Sequence, residues 1–105
     1  MHPIDETWNG RQLDLSVGQR FDLSLPENPT TGFRWAFESN GGPACALVSD
    51  AYVPSAGPPG AGGFHRWEFE ATRDGHADLR LSYRRSWGQA SEPARTFVLH
   101  VVVAG

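Results

Sequence analysis

The groups in this chain that could do chemistry are four histidines, one cysteine and twelve carboxylates. His2, His65, His76 and His100 show no metal-ligand spacing, and Cys45 has no sequence-adjacent partner that would suggest a Cys2His2 site. Cys45 sits in the apolar run Ala44-Cys45-Ala46-Leu47-Val48. A buried inert thiol is expected there, because free cysteine is among the most buried residue types. The carboxylates are scattered over polar strand faces, where solvated charge is the default. Serine catalysis would need a Gly-x-Ser-x-Gly elbow or its equivalent, which is absent. These residues therefore argue against an enzyme and call for no metal or other cofactor.

Three segments ask for another explanation. Asn28-Pro29-Thr30-Thr31-Gly32-Phe33 has Pro29 fixing φ, stiff β-branched Thr30 and Thr31, and Gly32 free to reverse the chain. It reads as an ordinary turn or as a preorganised binding tip, which loses less entropy on association. Gly60-Ala61-Gly62-Gly63 lets backbone approach backbone closely, which suits strand-addition recognition or a plain flexible linker. A phosphate cradle is disfavoured, since neither a Lys-Ser/Thr pair nor a helix start follows. Arg84-Arg85-Ser86-Trp87-Gly88 places Trp beside Arg, the composition of an interface hot spot or of a Trp folded back on the core edge.

The elements that must position these segments are strands. Leu13, Leu15 and Val17 alternate with polar residues; so do Phe21, Leu23 and Leu25, then Phe33, Trp35 and Phe37. Trp67, Phe69 and Ala71 repeat the pattern, as do Ala77, Leu79, Leu81 and Tyr83, and finally Phe97, Leu99, Val101 and Val103. Period-2 alternation gives each run one core face. A weaker strand is expected over Ala46 to Val53. Pairing Tyr83 with Phe97 joins the last two strands as a hairpin and leaves 84–96 as a protruding loop. Asp74-Gly75 marks a tight turn, either within a hairpin or between sheets. The whole reads as an all-β antiparallel sandwich of about seven to eight strands, one domain over residues 1–105.

Composition narrows the partners. The formal charge is −3 and the pI about 5.7, against the basic balance of a nucleic-acid binder. All nine basic residues are Arg, for which coding bias is the plain explanation. One cysteine allows no internal disulfide. No apolar stretch approaches the ~18 residues of a membrane span. Met1 to Glu6 is no signal peptide, which leaves the cytoplasm, or the periplasm or exterior if a leader was removed.

Taken together and in this order, the three segments resemble the chagasin family of inhibitors of papain-like cysteine peptidases. Asn28 to Phe33 is similar to that family's first signature, Gly60 to Gly63 to its Gly-x-Gly-Gly loop, and Arg85-Ser86-Trp87 to its Arg-Pro-Trp loop, with Ser86 in place of the usual Pro. The resemblance covers nearly the whole chain. It implies an immunoglobulin-like fold with the loops side by side at one end and a papain-like cysteine peptidase as partner. It also implies reversible, tight-binding occlusion of the active-site cleft by Asn28, Pro29, Thr30, Thr31, Gly32, Phe33, Gly60, Ala61, Gly62, Gly63, Phe64, Arg85, Ser86 and Trp87. The free inhibitor is expected to be monomeric. The alternative is an immunoglobulin-like adhesion or carbohydrate-binding module, with Trp8, Trp35, Trp67 and Trp87 as stacking platforms. Trp35 and Trp67 lie at core parity, which counts against that role.

Overall fold

A computed structural model describes residues 2–57, 62–85 and 93–105. Eight strands run in chain order: β1 His2–Ile4, β2 Gln12–Ser16, β3 Arg20–Glu27, β4 Phe33–Asn40, β5 Cys45–Pro54, β6 Gly63–Ala71, β7 Gly75–Arg85 and β8 Arg95–Ala104. They form two four-stranded sheets, ordered β1-β3-β6-β5 and β2-β8-β7-β4. The result is the expected all-β, immunoglobulin-like sandwich, and no helix among the described residues is long and apolar enough to cross a membrane.

Alternation builds the core. Phe21, Leu23, Leu25, Trp67, Phe69 and Ala71 from one sheet face Leu13, Leu15, Leu79, Leu81, Phe97, Leu99 and Val101 from the other, all buried. Phe21 stacks on Phe69 at 5.1 Å between ring centroids, and Phe37 meets Trp67 edge-on at 5.7 Å. Each fully buried Leu or Phe contributes roughly 1.5–3 kcal/mol through removal of apolar surface from water.

Several expectations are corrected. The β7–β8 hairpin keeps the expected parity, but its register differs by two residues: Tyr83 lies opposite Arg95, Leu81 opposite Phe97 and Leu79 opposite Leu99. A two-residue slip leaves every side chain on its own face, so alternation is blind to it. The observed register shortens the connection to 86–94, which lowers the entropy of closing it. Val17 lies beyond β2 and is 46% exposed, because the chain leaves the sheet at Ser16. β5 spans Cys45–Pro54, one residue longer at each end than expected. Two pairings are parallel, β1 with β3 and β2 with β8; the three-residue β1 is too short to show a period. The turn at Asp74-Gly75 carries the chain from one sheet to the other, since β6 and β7 belong to different sheets.

Candidate functional site

Register alone brings the three segments together. Glu27 at the end of β3 lies opposite Gly63 at the start of β6, which also pairs with Pro54 at the end of β5. Phe33 at the start of β4 lies opposite Arg85 at the end of β7. The connections 28–32, 55–62 and 86–94 therefore leave the sandwich at the same end. The first crosses between the sheets; the others close one hairpin in each.

The first connection is built by its own residues. Pro29–Thr31 form a single 3-10 turn capped by Asn28, whose extended backbone follows from the proline after it. Asn28 Oδ1 accepts from the Thr30 amide at 3.2 Å and from the Thr30 hydroxyl at 2.6 Å. The Thr31 amide and hydroxyl both donate to the Asn28 carbonyl, at 3.1 and 2.7 Å. Gly32 ends the turn at φ 84°, a left-handed conformation that a β-carbon disfavours. The threonines are thus exposed yet tethered. Beneath them the Phe33 ring stacks on Tyr83 at 5.4 Å, and Tyr83 lies 4.9 Å from Trp35. The Asn28 amide donates to the Tyr83 hydroxyl at 3.0 Å.

In the second connection the Ser55 amide and hydroxyl donate to the Gly62 carbonyl at 3.0 and 2.7 Å. Gly62 packs against the Asn28 side chain, which a β-carbon there would meet at 3.1 Å. Gly63 is tighter: a β-carbon would stand 2.2 Å from the Val53 carbonyl oxygen. At Gly63 a close backbone approach is therefore met within the molecule, between β5 and β6. Phe64 projects from the outer face beside Val53, both about half exposed. Gly60 and Ala61 lie outside the described residues.

In the third, Arg85 ends β7 with its guanidinium 5.1 Å over the Phe33 ring, a cation–π contact that joins the first and third segments. Ser86 and Trp87 lie outside the described residues.

Beneath this end lies a group that the motifs did not indicate. Glu27 is 3% exposed, and its carboxylate takes the Trp35 amide at 3.0 Å and sits 3.1 Å from His65 Nδ1. Its position in sequence carried the signal: Glu27 continues the inward parity of Phe21, Leu23 and Leu25. An acidic residue in phase with a core is a buried charge that must be paired.

Groups with other possible chemistry fall elsewhere. Cys45 is buried at the far end of the sandwich, and burial pushes its thiol pKa up, which disfavours the reactive thiolate. Trp67 is 3% exposed, and the Trp35 indole donates to the Pro26 carbonyl at 2.8 Å with its ring against the core. Neither can serve as a sugar platform.

Comparison with known proteins shows the family. The pattern of the Chagasin family peptidase inhibitor I42 matches residues 14–101. Chagasin of Trypanosoma cruzi is 30% identical over 95% of this chain and 96% of its own. Amoebiasin-1 of Entamoeba histolytica is 31% identical over 95% and 97%. The crystal structure of a cysteine protease inhibitor from Entamoeba histolytica superimposes with a TM-score of 0.82 at 24% identity, covering 98% of this chain and 94% of that one, a likeness of fold. The chain belongs to the chagasin family of peptidase inhibitors. That family is one of inhibitors rather than enzymes.

Proposed function

We propose that this protein is a reversible, tight-binding inhibitor of papain-like cysteine peptidases, acting as one domain over residues 1–105 and occluding the active-site cleft with its three-loop end. The observation that carries the reading is that the strand ends flanking 28–32, 55–62 and 86–94 lie at one end of the sandwich. Thr30 and Thr31, exposed on a turn held by four hydrogen bonds to Asn28, enter the cleft nearest the catalytic cysteine. Gly60 to Phe64 run along one wall; Arg85, Ser86 and Trp87 pack on the other. Such a tip binds with little further ordering, because its hydrogen bonds exist before contact. It does not present a peptide in the near-attack geometry that cleavage requires, so it occupies the site without being cut. The buried surface of a wedge of this kind is of the standard size, about 1,600 Å² in total.

The test is titration of papain and a cathepsin L-type enzyme with the purified protein, using a fluorogenic substrate, with Thr31→Ala and Trp87→Ala in parallel. Inhibition saturating near one to one, and weakened about tenfold or more by either substitution, is expected. Absence of inhibition at micromolar concentration, or full activity of both variants, refutes the wedge.

A further inference from the structure

The buried Glu27 stands where two of the loops are rooted. It is the residue before the Asn28–Phe33 segment, and Trp35, whose amide it accepts, follows that segment. Its other oxygen faces His65 Nδ1, two residues after Gly63. His65 Nε2 lies 2.7 Å from Asp50 Oδ2 on β5, the strand that leads into 55–62. The His65 ring is fixed flat on Trp67, 4.1 Å between centroids and 10° from parallel. One carboxylate thus bridges both stems of the first connection and the returning stem of the second.

A neutral imidazole carries a single N–H and cannot donate to two carboxylates at once. Glu27 and Asp50 both bond to the ring when it is the imidazolium, which offers an N–H to each. The groups facing this network are Asp50 and the in-register Tyr52 on β5, Trp67 on β6, and Tyr83 and Arg95, which line the cleft beside Glu27. Arg95 is itself paired with Glu6 at 2.5 Å.

We propose that Glu27 is a positioning residue for inhibition: through Trp35 and His65 it holds the roots of the first and second loops in the relation that the peptidase reads. The inference rests on the three-loop end being the inhibitory site. It separates two substitutions of nearly equal size. In Glu27→Gln the amide oxygen accepts the Trp35 N–H, and the amide nitrogen donates to Nδ1 of a neutral imidazole whose Nε2–H goes to Asp50. That variant keeps the linkage. In Glu27→Leu the linkage is gone.

The experiment uses the full chain as wild type, Glu27→Gln, Glu27→Leu, His65→Leu and Thr31→Ala. It reads inhibition of papain, thermal unfolding, and amide hydrogen exchange of Thr31 and Gly32, which donate to Asn28 and Pro29. Exchange is corrected for intrinsic rates. Glu27→Leu and His65→Leu are expected to weaken inhibition about tenfold and to speed exchange of the two loop amides by a similar factor, while the amides of Phe69 and Leu99 stay protected. Glu27→Gln is expected to recover most of the loss. Wild-type inhibition and exchange in both Leu variants overturn the proposal; so does a uniform loss of protection in the core, which marks a merely structural role. His65→Leu carries the test if Glu27→Leu does not fold. If the wild type inhibits nothing, the inhibitory reading fails, and the exchange data still decide whether Glu27 holds the loops.

Discussion

Gly63→Ala sets a new β-carbon against backbone more closely than a substitution at any other glycine for which the structure gives the contacts. Its β-carbon would sit 2.2 Å from the Val53 carbonyl oxygen, 2.8 Å from Pro54 Cα and 3.0 Å from the Ser55 nitrogen, all backbone atoms. No rotamer change relieves such contacts, so β5 and β6 must part by roughly 1 Å at this point. Parting them stretches both hydrogen bonds from Ser55 to the Gly62 carbonyl beyond bonding range. Two bonds at about 1 kcal/mol each, with about 1–2 kcal/mol of residual strain, give a loss of roughly 3–4 kcal/mol. For a domain of this size that lowers Tm by about 10–20 °C. Gly18→Ala is the benchmark: its φ of 94° strains any side chain, but a β-carbon there meets nothing within 4 Å. It should cost only about 1–2 kcal/mol. Calorimetry and urea titration measure both, and papain inhibition by Gly63→Ala should weaken about tenfold or more as the second loop shifts. A Gly63→Ala protein melting within a few degrees of wild type, or no lower than Gly18→Ala, would show that the β5–β6 approach is looser than described and refute the reasoning.

Other expectations follow from single contacts and from the sequence. Ser86→Pro should stiffen the third loop before binding and tighten inhibition about fivefold, equivalent to ~1 kcal/mol; weaker inhibition in a kinetic titration counts against this. The Ser82 hydroxyl donates to Glu38 at 2.7 Å, and this bond, ahead of the charge of Arg84, holds the Glu38 carboxyl below its ordinary value of 4.5. A depressed carboxylate adds stability above its unfolded-state value and loses it as pH falls through the folded one, so the contribution is present at neutral pH and fades in acid. In Ser82→Ala, NMR titration should find the Glu38 carboxyl moved up toward the ordinary value; an unchanged midpoint removes Ser82 as the cause. The Cys45 thiol, buried and raised in pKa, should react with a disulfide reagent only after unfolding, and rapid labelling of the native protein would contradict its burial.

The strands were legible because a sandwich core writes itself as alternation: most of the inward set from Leu13 to Val103 is buried, Phe33, Trp35, Phe37 and Tyr83 are half-buried, and Val17 is exposed. Whatever depends on absolute register was not legible. Parity distinguishes odd shifts from even ones and cannot tell Phe97 opposite Tyr83 from Phe97 opposite Leu81. The loop motifs were visible in composition, but what Gly63 is for was not: its lack of a side chain answers to Val53, ten positions earlier and reached only through the β5–β6 ladder. Glu27 stands at the core parity of its strand, whereas His65 shows in the sequence only as a histidine without ligand spacing. Their meeting was hidden, because it depends on which strands neighbour one another.

The second loop belongs to one sheet and the third to the other, and the first spans the gap between them. Stacked sheets lie about 10 Å apart, a spacing set by the side chains between them. The span between the two jaws is therefore a core dimension. Trp67, Phe37, Leu25 and Leu81, which pack between the sheets, act as the shims of a calliper. If the proposed three-loop end enters a cleft, an exchange of core volume alone would alter the width that it fits, with no change in the loops themselves.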